Sequence, residues 1–171
     1  ELDALFDRMI QFFVDLFGAQ QVQRVTDTTR GQIRKLVAAG LAAGDTAQDI
    51  ARAILDGAPE IARLRSVVIS RTESHRASQW AAIETAKESR RPLMKVWNST
   101  ADARTRDFGA GDGVVDEWDH RGANGQRAPI DGVFIIRHRS GATEALAHPG
   151  DPAGSPGNVI NCRCVMTFER A

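Results

Sequence analysis

Glycine and proline are distributed very unevenly along this chain, and that constrains its fold more than any other feature. Ten of the 15 glycines and five of the six prolines lie after residue 91. These residues break helices and punctuate turns. A helical first part over residues 1–91 is therefore expected, followed by a turn-rich lobe with short strands over residues 92–171. A length of 171 residues suits one medium domain or one domain with an appendage. The expected class is α+β: an N-terminal helical arm or bundle, then a small antiparallel-sheet lobe with long loops.

In the first part the apolar residues recur at helical spacing. Leu2, Leu5, Phe6, Met9, Phe13, Leu16 and Phe17 form one face of a helix over residues 2–17. That face is rich in phenylalanine, which suits either burial against the other helices or docking on a second copy or another subunit. A second helix is expected over about 20–43, with Gly31 and Gly40 weakening it. Thr46 and Asp49 then form an N-terminal signal for a short helix ending at Gly57. A long helix over about 60–89 carries "RTESHR" in its middle, and Pro92 blocks its continuation. This stretch reads as a solvated charged face, or as one in which Arg71 and Glu73 turn inward to tie the helix to the second half.

In the second part "MKVWNS" alternates as a strand near 94–98, and "STADARTRD" reads as a turn into a short helix. "GVFIIRH" (132–138) is a strand rich in β-branched residues, residues 140–157 read as a loop, and "VINCRCVMTF" (159–168) as the closing strand. "GAGDG" lacks the Lys-Ser/Thr of a phosphate loop and has no nucleotide role.

Charge narrows the partners. With 22 basic and 22 acidic side chains, the chain has no net attraction for DNA, RNA or anionic membranes, although a local basic patch is compatible with it. No apolar run approaches the roughly 18 residues that a membrane helix needs. No signal peptide is visible, and a first residue of Glu1 fits trimming from a longer parent.

Both cysteines of the chain, Cys162 and Cys164, stand one residue apart. A disulfide between them would close a strained ring, so they are expected reduced, in a cytosol. On an extended strand they point to one side and Arg163 to the other. They either pack as small hydrophobes or hold a structural zinc. For zinc, His120 would be a third ligand and His148 a fourth, with Asp107 or Asp151 as substitutes. Redox or crosslinking chemistry is a lesser option. Arg71, Glu73, Asp102, Arg104, Arg106 and Arg163 read as a structural clasp of arginine–carboxylate pairs in a lobe with little apolar core. A second reading arranges His120, Asp107, Asp119 and Glu73 as a general acid–base site, with Arg71, Arg104, Arg106 and Arg163 holding a phosphate. No catalytic motif accompanies it.

An ordered series of motifs resembles the head morphogenesis proteins of tailed phages, the phage Mu F-like or SPP1 gp7-like minor capsid family. "SRTESHRA" is similar to the family's Arg-Thr-Glu helix. "KVWNSTADARTRD" is similar to its Trp-x-x-x-x-Asp-x-Arg-x-Arg segment, here Trp97, Asp102, Arg104 and Arg106. "HRGANGQRAPIDGVF" carries its His and Asn-Gly before a Phe strand, here His120, Asn124, Gly125 and Phe134. "HPGDPAGSPGNVINCRC" is similar to its Pro-Gly-Asp-Pro loop and terminal Cys-Arg-Cys. Together they cover about residues 65–166. The departure is "FGAGDGVVDEWD" (108–119), inserted between Asp107 and His120.

The resemblance implies a phage or prophage minor head protein, present in the virion and, during assembly, in the host cytoplasm. Its partners would be the portal, major capsid or scaffold proteins, with a link to DNA packaging or ejection. It implies no catalytic reaction and no required cofactor. The alternative is a metal-dependent enzyme or toxin-like effector, of nuclease or nucleotidyl-transfer type, built on the same lobe. Self-association is expected through residues 2–17.

Overall fold

The structure is a computed structural model that describes residues 2–17, 27–57, 63–109 and 115–171. The chain divides into two compact units, Glu1–Thr85 and Ala86–Ala171.

The N-terminal unit is helical: α1 (Leu2–Phe17), α2 (Asp27–Ala43), α3 (Ala47–Gly57) and most of α4 (Arg63–Glu88). The first residues of the expected second and fourth helices, 20–26 and 60–62, lie outside the described residues. Phe13, Ile33, Val37, Ile50, Ile54, Ile69 and Ala77 form a buried apolar cluster drawn from all four helices. Phe13 is fully buried, with its ring 5.6 Å from that of Trp80. The face of α1 offered by the sequence to a partner therefore has its central side chain inside its own unit. Phe12 is 51% exposed and stacks on the same Trp80 at 5.8 Å.

Gly40, which weakens α2 as a helix, has a packing role. A Cβ there would collide with the Ile50 side chain, so the glycine lets α2 and α3 approach closely. Gly44, at φ +73°, ends the helix in the left-handed region. Thr46 then caps α3: its hydroxyl accepts from the Asp49 amide (3.3 Å) while the Asp49 carboxylate accepts from the Thr46 amide (3.3 Å). This reciprocal pair is a capping box.

α4 buries an unusually polar set: Ser66, Ser70, Thr72, Glu73, Arg76 and Gln79. Arg71 is exposed. Glu73, 2% exposed, accepts from the fully buried Arg76 guanidinium at 3.1 Å, one helical turn away.

The C-terminal unit holds two three-stranded antiparallel sheets. In one, β1 (Leu93–Asn98) lies between β3 (Arg127–Pro129) and β6 (Val165–Arg170). In the other, β4 (Phe134–His138) lies between β2 (Trp118–Asp119) and β5 (Thr143–Leu146). Alternation decides what each strand buries. β1 turns Lys95 and Trp97 inward, and β4 turns Phe134 and Ile136 inward with Ile135 and Arg137 outward.

Three expectations need correction. "STADARTRD" forms turns rather than a helix, because the Asp102 carboxylate accepts from the Arg104 amide (3.1 Å) and the Thr105 hydroxyl (3.2 Å), a local alternative to helical bonding. Residues 140–157 are not all loop: they contain β5, hairpin-paired to β4 through Gly141 at φ +91°, and a one-turn helix α5 (Pro156–Val159). The last strand begins only at Val165, because Val159 ends α5 and Asn161 takes a left-handed φ of 56°. Within the 108–119 insertion, residues 110–114 lie outside the described residues, whereas Trp118 is buried and pairs with His138. The end of the insertion is thus a sheet strand that delivers His120.

Candidate functional site

His120, Cys162 and Cys164 converge although 42 and 44 residues separate the histidine from the two thiols. Their ligand-type atoms all lie within 4.8 Å of one another and all three residues are buried. Cys162 Sγ is 3.6 Å and Cys164 Sγ 3.4 Å from the same ring nitrogen, Nδ1 of His120. The cysteines precede β6 rather than belong to it, yet they face the same way.

His120 is held from several directions. Its backbone amide and that of Arg121 both donate to the Arg106 carbonyl, at 2.9 and 3.0 Å. Its ring packs edge-on against fully buried Trp97, with centroids 5.5 Å apart. Its other nitrogen, Nε2, lies 2.7 Å from Asn158 Oδ1. The Asn158 side-chain amide in turn donates to Glu144 Oε2 at 2.8 Å. A carboxylate only accepts, so the Asn158 nitrogen must face Glu144 and its oxygen must face His120. The imidazole then carries its proton on Nε2 and turns the bare lone pair of Nδ1 towards the two sulfurs. Burial acts to raise the Glu144 carboxyl, but the bonds from Asn158 and the Ser155 amide outweigh it and hold the group below its ordinary range. Hydrogen bonding with Cys162, followed by burial, pushes the Cys164 thiol far above its ordinary range.

Around this centre a polar frame pins the Cys-Arg-Cys segment. Arg163 turns away from the cysteines and grips Asp102 with both terminal nitrogens, each at 2.5 Å. That bidentate bond is the first cause holding the Asp102 carboxyl far below its usual range. Arg106 donates to the Ile160 carbonyl (2.6 Å), Thr100 Oγ1 to the Arg163 carbonyl (2.9 Å), and Arg121 to Asp107 (2.6 Å). Arg104 is exposed and lines a cavity of about 10 Å³ beside His120, Arg106, Arg163 and Cys164.

The other candidates have partners of their own. His148 is buried with Nδ1 3.0 Å from the Pro149 carbonyl, outside the His120 group. Asp151 accepts from the Ala147 and Ala153 amides at 2.7 and 2.9 Å and so shapes the His-Pro-Gly-Asp-Pro turn. Asp107 is engaged with Arg121 and Asp119 with Arg137 (3.1 Å). Glu73 meets Arg76 within α4.

Sequence reasoning missed Asn158, Glu144 and Lys95. Lys95 is 1% exposed, donates to the Gly132 and Ala147 carbonyls at 2.6 and 2.7 Å, and lies 5.2 Å from the Phe134 ring centroid. Its position on the inward register of β1, beside Trp97, was the available signal. Nothing in the local sequence marks Asn158, which follows Ser-Pro-Gly.

A family model described as Phage Mu protein F like protein matches residues 31–167. The chain belongs to this family. No curated protein and no solved structure matches it. The Mu F-like match takes in most of α2, α3 and α4, the Arg163–Asp102 clasp and the His120 cluster. It therefore reaches upstream of the ordered motifs, into helices with no distinctive residues of their own. This is a family of phage head morphogenesis proteins, and no helix among the described residues is long and apolar enough to cross a membrane.

Proposed function

We propose that this chain is a minor head protein that joins portal and capsid proteins during phage head assembly, in the host cytoplasm, and remains in the virion. The family match over residues 31–167 carries the reading. Two features of the structure support it. Around the Cys-Arg-Cys segment Arg106, Arg121 and Arg163 are engaged by a backbone carbonyl, Asp107 and Asp102, as in a rigid part that must keep its shape. The cavity beside His120 measures about 10 Å³, room for about one water and not for a substrate. Among the described residues, a larger cavity of about 420 Å³ in the N-terminal unit is lined by Gln48, Ala51, Arg52, Leu55, Ser66 and Val67.

The test is to tag the chain in its phage or prophage, purify procapsids and virions, and crosslink. The chain is expected in both particles, with crosslinks to portal or capsid subunits. Its absence from both would overturn the proposal. A nuclease or nucleotidyl-transfer rate abolished by Cys162→Ser in folded protein would replace it with the enzymatic reading.

A further inference from the structure

We propose that His120, Cys162 and Cys164 form a metal site for a zinc-type ion, with Nδ1 and the two thiolates as its protein ligands and a water in the adjoining cavity as its fourth. The proposal stands independently of the assembly role.

The geometry argues for it first. A tetrahedral zinc with Zn–S near 2.3 Å and Zn–N near 2.05 Å places sulfur and nitrogen roughly 3.6 Å apart. The two separations here are 3.6 and 3.4 Å. Two S–H bonds converging on one nitrogen do not account for both distances, although a bond between the two thiols can accompany one of them. Neutral imidazole offers one in-plane lone pair at Nδ1, and one lone pair does not accept two well-formed S–H bonds. A single cation bound by all three atoms uses that lone pair once and satisfies both sulfurs.

The surroundings argue for it next. Metal-binding histidines donate their second ring N–H to a carbonyl or carboxylate, which fixes the tautomer and the ring. Here Nε2 meets the Asn158 carbonyl, and Glu144 sits behind it. That relay satisfies the buried Nε2–H and at the same time leaves Nδ1 bare towards the sulfurs, the tautomer a metal ligand needs. All three ligand residues are buried, and the adjoining cavity, lined by His120 and Cys164, has room for about one water. Such an ion ties the Cys-Arg-Cys segment to His120 and keeps one position for water. Two thiolates and one imidazole select zinc or cobalt over magnesium or calcium, which take oxygen ligands. His148 is not needed. On binding, each thiol gives up a proton as its metal–sulfur bond forms, so the affinity rises with pH.

The experiment is an anaerobic cobalt(II) titration of the full chain, with elemental analysis of zinc-loaded protein. The expected result is one ion per chain, a thiolate-to-cobalt charge-transfer band, and d–d bands of tetrahedral intensity. Cys162→Ser and Cys164→Ser should each weaken the charge-transfer band, and His148→Ala should leave both spectrum and stoichiometry intact. Asn158→Ala should keep the tetrahedral spectrum while lowering affinity about 10–100-fold, the usual effect of losing such a partner. A wild-type chain that develops no charge-transfer band, or a spectrum unchanged in both serine variants, would overturn the site. Loss of binding in His148→Ala would overturn this ligand set.

Discussion

The two units stabilise themselves by different means. The N-terminal unit gathers aliphatic and aromatic side chains from four helices into one cluster around Phe13, Ile33, Ile50 and Ile54, and its buried polar side chains lie along the single helix α4. The C-terminal unit has strands of two to six residues and closes its interior around polar as well as apolar side chains. It buries Lys95, Asp119, His120, His148, Asp151 and Asn158 alongside Trp97, Phe134, Ile136 and Leu146. An apolar core tolerates exchange of one hydrocarbon for another. A buried polar frame does not, because each lost partner leaves a group that cannot find water. The C-terminal unit should therefore be the brittle one, specific in shape and sensitive to solution chemistry.

Substitution at Trp97 offers the hardest test of that contrast. Its ring contacts both His120 and Phe134, so Trp97→Ala should remove about 4 kcal/mol and unfold the C-terminal unit selectively. Trp80, in the other unit, reports whether the helices survive in the same fluorescence denaturation curve. Simultaneous loss of both units would break the division drawn here. Glu73→Ala sharpens the comparison from the opposite side. It leaves the fully buried Arg76 without this carboxylate inside a helical unit and should cost on the order of 3 kcal/mol in urea denaturation. A loss below about 1 kcal/mol, the level of a surface pair, would show the pair to be solvated.

Alkaline pH should separate the units further. Burial first, then repulsion from Lys87, lowers Lys95 from 10.5 to about 8. Below pH 8 both folded and unfolded chains hold that proton, and the buried charge weakens the fold by a constant amount. Between pH 8 and 10.5 the unfolded chain holds more protons than the folded one, so stability rises with pH. The full gain is on the order of 3 kcal/mol. Lys95→Met should abolish this rise, as seen in chemical denaturation at stepped pH. A slope that persists in Lys95→Met would assign it to another group. Last and smallest, Thr46→Ala removes the cap of α3 and should lower N-terminal stability by about 1 kcal/mol, leaving the other unit's transition unmoved.

Much of this architecture was legible in the sequence, and the parts that were not share a cause. Helix α1 was readable because Leu5, Met9 and Phe13 repeat within one continuous segment, and α3 because Thr46 and Asp49 signal its start locally. β1 and β4 were readable from alternation. The convergence of His120 with Cys162 and Cys164 could be suspected from chemistry but not measured, because it depends on how β2 and α5 deliver distant residues. β2 itself, two residues long, has no periodicity to detect. The Asn158–Glu144 relay is less visible still: neither residue stands in a chemical motif, and only β5 and α5, both hidden within an apparent loop, bring them within 2.8 Å. "STADARTRD" misled because its composition suits a helix, while Asp102 satisfies nearby donors in a turn instead.

The pairing of β1 with β6 has a consequence for synthesis on the ribosome. Leu93 is registered against Arg170, so the central strand of its sheet waits for a partner made more than seventy residues later. By then all the elements of the helical unit have been translated. The first unit can settle early through contacts among neighbouring helices, while the second stays open, with an unpaired strand edge and unclosed polar frame, until Val165–Arg170 arrives. A nascent C-terminal unit is thus exposed to aggregation or to capture by a chaperone for the whole of that interval, and its two thiols enter their pocket among the last events of maturation.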